Sequence, residues 1–157
     1  MTVKGGVLCT VQLVFGLLAM VGSLHAEDNP FVGTWSAKLA KSKLLSDYQY
    51  KPLTLQIAVV FDTVTLGSKF VSTSGQEQSA ADLFHTDGKE HPGTLSLGVL
   101  HTARWINSRT LETRAKKDGK DMGVMTYEVS ADGKTLTSKY SISPQSPQQV
   151  VVFDRQE

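Results

Sequence analysis

Residues 122–142 read MGVMTYEVSADGKTLTSKYSI, and this stretch decides the fold class. Apolar and aromatic side chains recur in it at even spacings, at Met125, Tyr127, Val129, Leu136, Tyr140 and Ile142. A period of two is that of a β-strand with one buried face, not that of a helix. Between the two runs, Asp132-Gly133 supplies the positive φ that a tight hairpin turn needs. The stretch therefore predicts two antiparallel strands joined by a hairpin.

The same pattern extends over most of the chain, and the tripeptide Asp-Gly-Lys occurs again at 87–89 and 118–120. About nine or ten strands are predicted, at 33–39, 53–60, 63–71, 76–85, 94–98, 100–106, 110–116, 122–130, 134–142 and 148–154. Consecutive strands are separated by short turns. A meander of this number either closes on itself or leaves long unpaired edges, and closure removes those edges. We therefore predict an all-β fold, and an antiparallel up-and-down β-barrel is favoured over a sandwich.

Two stretches interrupt the strand pattern. Residues 40–52 mix apolar and polar side chains without a period of two, and either a short helical lid or a plain loop would fit them. Residues 143–148 contain Pro144 and Pro147, which exclude a central strand there.

Length, charge and cysteine content exclude several function classes. A chain of 157 residues is enough for one domain with a hydrophobic core. It carries 16 Lys and Arg against 15 Asp and Glu, so it lacks the basic surplus of a nucleic-acid binder. The single cysteine, Cys9, lies in a segment that we expect to be removed, which argues against a disulfide scaffold and a thiol active site.

The N-terminal segment has the features of a secretory signal peptide. Lys4 is followed by an apolar run from Val7 to Val21 and then by small residues up to Ala26. The run is shorter than the roughly 20 residues that a transmembrane helix needs, so no lasting membrane anchor is expected. The sequence predicts a signal peptide over 1–26, one barrel domain over 27–157, and export to the periplasm or the cell exterior.

The sequence contains no motif for catalysis or for a bound cofactor. It has no Gly-x-Ser-x-Gly, no glycine-rich phosphate loop and no His-Glu-x-x-His. His85, Asp87, Glu90 and His91 have the atoms of a metal site, but zinc ligands are usually more closely paired and hairpin loops are commonly polar for solvation. We expect neither an enzyme nor a metal or cofactor site.

Both ends of the predicted domain resemble a known family. Residues 31–35 (FVGTW), followed by 39–43 (LAKSK), resemble the opening of small exported bacterial lipocalin-like proteins. The Phe-x-Gly-Thr-Trp core is also similar to the start of fatty-acid-binding proteins and to the Gly-x-Trp of lipocalins, and residues 150–155 resemble the family's last strand. The resemblance implies a calycin barrel with Trp35 as a structural plug. Arg155 is the expected cation–π partner of Trp35.

The resemblance also implies a site inside the barrel, with one departure. Fatty-acid-binding proteins place an Arg and a Tyr two residues apart in the last strand to hold a carboxylate, and here Val151 and Phe153 stand there. The anion clasp is therefore missing at these positions. Tyr127, Tyr140 and Phe153 fall on apolar faces and are candidates to line a ligand cavity, although ordinary core packing explains them as well.

Arg104 is a further candidate ligand contact, and its orientation is open. In one register it faces the interior with Leu100 and Ile106, where a ligand carboxylate or phosphate would be its partner. In the other register His101, Ala103 and Trp105 face inward and Arg104 lies in water. A slip of one residue exchanges the two faces, so the strand alone permits both.

The expected function is a non-catalytic, exported β-barrel that binds a small apolar or amphiphilic molecule in its interior. The alternative is a filled barrel that contacts an envelope protein or a secreted hydrolase through its loops or residues 40–52. A small enzyme is a third possibility, which would need titratable side chains that converge in one pocket. These hypotheses differ in whether the interior has room for a ligand.

Overall fold

The computed structural model describes residues 29–46, 50–95 and 97–157. The predicted signal peptide over 1–26 lies outside the described residues. In the described part of the chain, no helix combines the length and apolar character that crossing a membrane requires.

Ten strands form one antiparallel sheet. They are β1 Gly33–Ala37, β2 Lys51–Val60, β3 Thr63–Val71, β4 Glu77–His85, β5 His91–Pro92, β6 Val99–Asn107, β7 Thr110–Lys117, β8 Lys120–Val129, β9 Thr135–Ser141 and β10 Gln149–Arg155. The order across the sheet is β4-β3-β2-β1-β10-β9-β8-β7-β6-β5, so nearly every strand pairs with its neighbours in sequence.

The sheet curls into a nearly closed barrel. The first and last strands pair directly, with Trp35 opposite Arg155. The sheet edges are β4 and β5, and the connection between them is held to β6, where the Gly88 amide donates to the Ala103 carbonyl at 3.0 Å. The predicted all-β, up-and-down barrel of nine or ten strands is confirmed.

Two details of the predicted strand pattern are wrong or incomplete. The strand expected at 94–98 is instead β5 at His91–Pro92, because the Gly93 amide donates to the Val99 carbonyl at 2.8 Å and Gly98 turns the chain with φ +76°. Within 40–52, the described residues contain the end of one helical turn, Leu39–Lys41, and the first two residues of β2. After the helical turn the chain pairs with β10, where Lys43 and Val150 exchange backbone hydrogen bonds of 2.7 and 2.9 Å.

The two ends of the barrel differ. One end, the Trp35 end, carries the β2–β3, β6–β7 and β8–β9 turns, and the other, the Lys41 end, carries the helical turn, the β3–β4 and β7–β8 turns and the β9–β10 loop. The largest fully buried side chains lie toward the Trp35 end: Trp35, Phe31, Leu111, Leu136, Val64 and Val129. Several inward-facing positions further along the strands are small: Ala37, Ser68, Ala80, Ala103, Ala115 and Ser138.

Candidate functional site

Trp35 and Arg155 occupy the predicted plug position at the Trp35 end. The Arg155 guanidinium carbon lies 4.1 Å from the centroid of the Trp35 ring, so the predicted contact is present. Trp35 is fully buried, and its indole Nε1 donates to the Phe31 carbonyl at 3.0 Å. Phe31 in turn packs on Trp105, with ring centroids 5.0 Å apart. This end of the interior is therefore filled by aromatic side chains.

The Arg155 guanidinium also donates to three carbonyl oxygens in two separate parts of the backbone. It donates to the carbonyl oxygens of Gly133 at 2.7 Å, Val32 at 2.7 Å and Pro30. Such hydrogen bonds to a charged donor are stronger than neutral ones. Arg155 thus joins the last strand to the chain before β1 and to the β8–β9 turn. These N–H donors of Arg155 therefore bind backbone carbonyl oxygens.

Two rows of inward-facing side chains cross strands β6 to β10. The row nearer the Lys41 end consists of Ala103, Thr113, Met125, Tyr140 and Gln149. The next row consists of Trp105, Leu111, Tyr127, Ser138 and Val151. The register therefore places hydroxyl and amide groups among apolar side chains inside the barrel.

The buried polar side chains of the described residues lie on inward positions of their strands. They are Asp82, Thr113, Ser138 and Gln149. This set contains one carboxylate and no lysine or arginine. Lysine and arginine are therefore absent from the buried positions of the described part of the barrel.

Among the described residues, Gln149 is a buried polar side chain with an unpaired hydrogen-bond acceptor. It is 3% exposed, and its Oε1 atom accepts no hydrogen bond from the described residues. Leaving a buried acceptor unpaired costs roughly 1–3 kcal/mol. Gln149 was not among the residues singled out from the sequence.

The three predicted aromatic candidates occupy different environments. Tyr127 and Phe153 are buried in the core cluster, as expected for inward positions. Tyr140 lies nearer the Lys41 end, where its hydroxyl donates to the Met122 carbonyl at 2.8 Å. Its ring covers Gly123, where an added Cβ would lie 2.6 Å from Tyr140 Cε2. The Tyr140 hydroxyl therefore donates its hydrogen bond to the backbone.

The interior orientation considered for Arg104 is wrong. Arg104 is exposed, whereas its neighbour Ala103 is 2% exposed and packs in the core. The Arg104 Nε and Nη2 atoms donate to Glu112 Oε1 at 3.2 and 3.0 Å on the outer face. The other register is the one observed, because it leaves the Arg104 guanidinium in water beside the Glu112 carboxylate and places the smaller, apolar Ala103 side chain inside.

Glu112 is held ionised by two arginines. Burial by itself raises the pKa of Glu112, but hydrogen bonds and charges from Arg114 and Arg104 outweigh it and lower the pKa below its ordinary value of 4.5. Arg114 Nε donates to the same oxygen at 3.1 Å. These side chains border an outer groove of about 340 Å³. A second outer groove, of about 520 Å³, runs over β1–β4 past Thr34 and Lys69.

A side-chain cluster closes the barrel where β4 and β6 face each other across the sheet edges. Asp82 Oδ1 accepts from the Thr94 hydroxyl at 2.5 Å, the Thr94 amide at 3.3 Å and the Leu83 amide at 3.0 Å. Asp82 Oδ2 lies 3.5 Å from His101 Nε2. The His101 ring meets Phe84 edge-on at 5.3 Å. We call Asp82, Thr94 and His101 the seam cluster.

Sequence analysis did not find the seam cluster, because its members lie on different elements. His101 has no nearby polar partner in the sequence, and Asp82 belongs to a strand that otherwise alternates normally. One signal was available, since Asp82 falls on the same face as Ala80 and Phe84 in a predicted strand. A carboxylate on an apolar face needs a partner inside the fold.

The polar residues around the turn at 87–91 pair with one another or with β7. His91 Nε2 lies 3.0 Å from Asp87 Oδ1, and the His85 and His91 rings are 4.5 Å apart. Glu90 accepts a hydrogen bond from Lys116 at 2.9 Å. Within the described ranges, no three or more His, Cys, Asp or Glu side chains are grouped so that they could hold a metal ion.

The architecture defines a fold class, the nearly closed, ten-stranded, antiparallel up-and-down barrel. Two similar solved structures are the fluorescent protein UnaG and a Schistosoma mansoni fatty acid binding protein in complex with arachidonic acid. UnaG has a TM-score of 0.56 and 19% identity over 80% of this chain and 97% of its own. The second has a TM-score of 0.52 and 13% identity over 82% and 97%. These similarities establish a fold like that of fatty-acid-binding proteins.

Comparison of sequences identifies no family for this chain. No protein-family model matches it, and no curated protein matches it significantly.

Proposed function

We propose that this protein is a non-catalytic, exported carrier that binds a small apolar or amphiphilic molecule inside the barrel, toward the Lys41 end. The observation that carries the proposal is the fold, a nearly closed barrel similar to that of a fatty acid binding protein in complex with arachidonic acid. The inward row nearer the Lys41 end contains Thr113 and Met125, which offer one hydroxyl and one adaptable apolar surface. Binding of this kind draws its affinity from apolar burial and its orientation from a few polar groups.

The distribution of side-chain size supports a ligand site in this half of the barrel. Inward positions such as Ala103, Ala115 and Ser138 are small, whereas Trp35 and Phe31 fill the opposite end. These small side chains fill less of the interior than the aromatic side chains at the Trp35 end do. We locate the ligand against these small residues.

The similar structures support binding rather than catalysis. The Schistosoma mansoni protein holds arachidonic acid, and its fold covers most of this chain. Among the described residues, the pair of Asp82 and His101 in the seam cluster has no nucleophile attached, because the Thr94 hydroxyl donates to Asp82 and not to the imidazole. Export rests on the signal-like segment over 1–26, and the lack of cysteine after Cys9 gives the domain no thiol to oxidise.

Neighbouring residues on β9 provide a matched test. Ser138 faces inward and is 7% exposed, whereas Thr137 faces outward. Ser138→Phe places an aromatic ring in the proposed ligand space, and Thr137→Phe places the same ring on the surface. The measurement is binding of the neutral fluorescent dye Nile red, together with the free energy of unfolding of each variant.

If the protein is a carrier, wild type and Thr137→Phe are expected to bind Nile red. Ser138→Phe is expected to stay folded and to lose dye binding. In a filled barrel, the added ring in Ser138→Phe would instead cost about 1–3 kcal/mol of stability. Absence of dye binding by wild type, combined with such a loss, would contradict the proposal. It would favour the alternative, an interaction module that contacts an envelope or secreted protein through its loops.

A further inference from the structure

We propose that the outer groove of about 340 Å³ beside Arg104 and Arg114 is a binding site for a phosphate group. The site lies on the outer face of β6 and β7, so it is separate from the barrel interior and goes beyond the proposed function. We call it the arginine groove. Its lining residues are Gly88, Thr102, Ala103, Arg104, Glu112 and Arg114.

The strand register places both arginines around one carboxylate. Arg104 on β6 pairs with Glu112 on β7, and Arg114 is the next residue of β7 on the same face. Glu112 Oε1 accepts from Arg104 Nε at 3.2 Å, from Arg104 Nη2 at 3.0 Å and from Arg114 Nε at 3.1 Å. Because both guanidiniums contact the same oxygen atom, they lie close enough for one anion to contact both.

Glu112 leaves the Nη ends of both guanidiniums open. It binds them on the Nε side, and Arg104 Nη1 and both Nη atoms of Arg114 donate to none of the described residues. The side chains of Arg104 and Arg114 are 58% and 50% exposed, whereas that of Glu112 is 17% exposed. A ligand from solution therefore reaches the arginines and their open donors, and the carboxylate between them is largely covered.

The chemistry of these donors selects a phosphate group. Two guanidiniums and one carboxylate give the arginine groove an excess of positive charge. The oxygens of a carboxylate lie in one plane and suit a single guanidinium fork, whereas the oxygens of a tetrahedral phosphate point in several directions and accept from both guanidiniums at once. Thr102, which pairs with Arg114 in the register, adds a hydroxyl donor to the lining.

The surroundings of the arginine groove leave room for an anion. The nearby carboxylates bind other side chains, since Glu90 accepts from Lys116 at 2.9 Å and Asp87 lies 3.0 Å from His91 Nε2. The groove wall at Gly88 has no side chain, and a Cβ added there would meet no atom of the described residues within 4 Å. The groove is therefore open on that side.

Binding of inorganic phosphate tests the site directly. The protein is purified from its own host after expression of the full chain, and binding is measured by isothermal titration calorimetry at constant ionic strength, with acetate for comparison. Arg104→Gln and Arg114→Gln each remove one guanidinium, and Arg104→Lys keeps the charge but loses the planar fork. The control, Arg109→Gln, makes the same change at an exposed arginine outside the groove. Thermal unfolding checks that each variant is folded.

Wild type and Arg109→Gln are expected to bind phosphate with a Kd of about 1 mM or lower, and acetate at least about tenfold more weakly. Arg104→Gln, Arg114→Gln and Arg104→Lys are each expected to lose about tenfold in phosphate affinity. Three results would each overturn the proposal: no phosphate binding by wild type, an equal loss in Arg109→Gln, or full affinity in Arg104→Lys.

Two further ligands identify the source of the phosphate group. Glycerol 3-phosphate carries it in solution, and phosphatidylcholine vesicles that contain phosphatidate carry it at a lipid surface. Binding of glycerol 3-phosphate that is lost in Arg104→Gln would assign a soluble phosphate ester. Sedimentation with the vesicles that is lost in the same variant would assign a lipid head group. If wild type binds neither ligand, the proposal is wrong.

Discussion

Gly33 and Arg155 approach each other so closely that only glycine fits at position 33. A Cβ atom on Gly33 would lie 2.8 Å from Arg155 Nη1, and the Gly33 backbone has φ +138°. Arg155 needs this approach to reach the Val32 carbonyl while it covers the Trp35 ring. The glycine and tryptophan of the opening motif are therefore linked through an arginine at the other end of the domain.

Gly33→Ala is expected to lower the free energy of unfolding by about 1–3 kcal/mol, because alanine is strained at this φ and displaces the guanidinium. The control is Gly67→Ala, where an added Cβ would lie 3.8 Å from its nearest neighbour, the Gln56 carbonyl. Urea unfolding of both variants measures the difference. Equal stability of the two variants would show that Arg155 does not require Gly33.

Asp82→Ala is expected to loosen the barrel seam. The change leaves the Thr94 hydroxyl and amide without their acceptor and removes the carboxylate beside His101, at a cost of about 1–3 kcal/mol. Hydrogen exchange should accelerate at the Gly88 amide, which bridges to β6, more than at amides shared by β9 and β10. The exposed Asp121→Ala is the control. Uniform acceleration across the sheet would argue against a local role for Asp82.

The stability contribution of Glu112 is expected to depend on pH. Its pKa is lower in the folded protein than the ordinary 4.5, so its contribution is present above that pH and is lost as the pH falls through the lowered pKa. Glu112→Gln should cost at most about 1 kcal/mol near neutral pH, and the difference should be smaller at a pH well below 4.5. Urea unfolding at both pH values measures it, with the more exposed Glu128→Gln as control. A difference that does not change with pH would refute this account.

Arg104→Ala is expected to leave Nile red affinity unchanged, because the guanidinium lies on the outer face with Glu112. The variant should lose no more than about 1 kcal/mol of stability, as is usual for exposed ion pairs. The measurements are dye titration and thermal unfolding. Weakened dye binding with an unchanged thermal midpoint would show that Arg104 contributes to the site after all.

The sequence predicts most of the barrel because strand period and turn chemistry are local properties. The alternation around Tyr127 and Leu136 and the turn at Asp132-Gly133 are sufficient to place β8 and β9. The strand at 94–98 is mispredicted because the backbone bond between Gly93 and Val99 depends on how β5 pairs.

The candidate site is less predictable than the fold, because it depends on which faces of the strands pack together inside the barrel. In residues 100–106 both faces of the strand carry apolar side chains, so only packing against β7 decides that Ala103 faces inward and Arg104 outward. Gln149 and Asp82 become notable only once distant strands surround them. Their burial results from the closure of the barrel, and no local sequence pattern predicts it.

The most direct test of the central claim is native mass spectrometry of the protein, purified from its own host after expression of the full chain, with solvent extraction of any bound molecule. We predict a reproducible small-molecule adduct, retained in Thr137→Phe and lost in Ser138→Phe. The same spectra give the mass of the purified chain and so test the prediction that residues 1–26 are removed. A bare protein mass for wild type, together with no uptake of Nile red, would contradict the claim that the barrel carries a ligand.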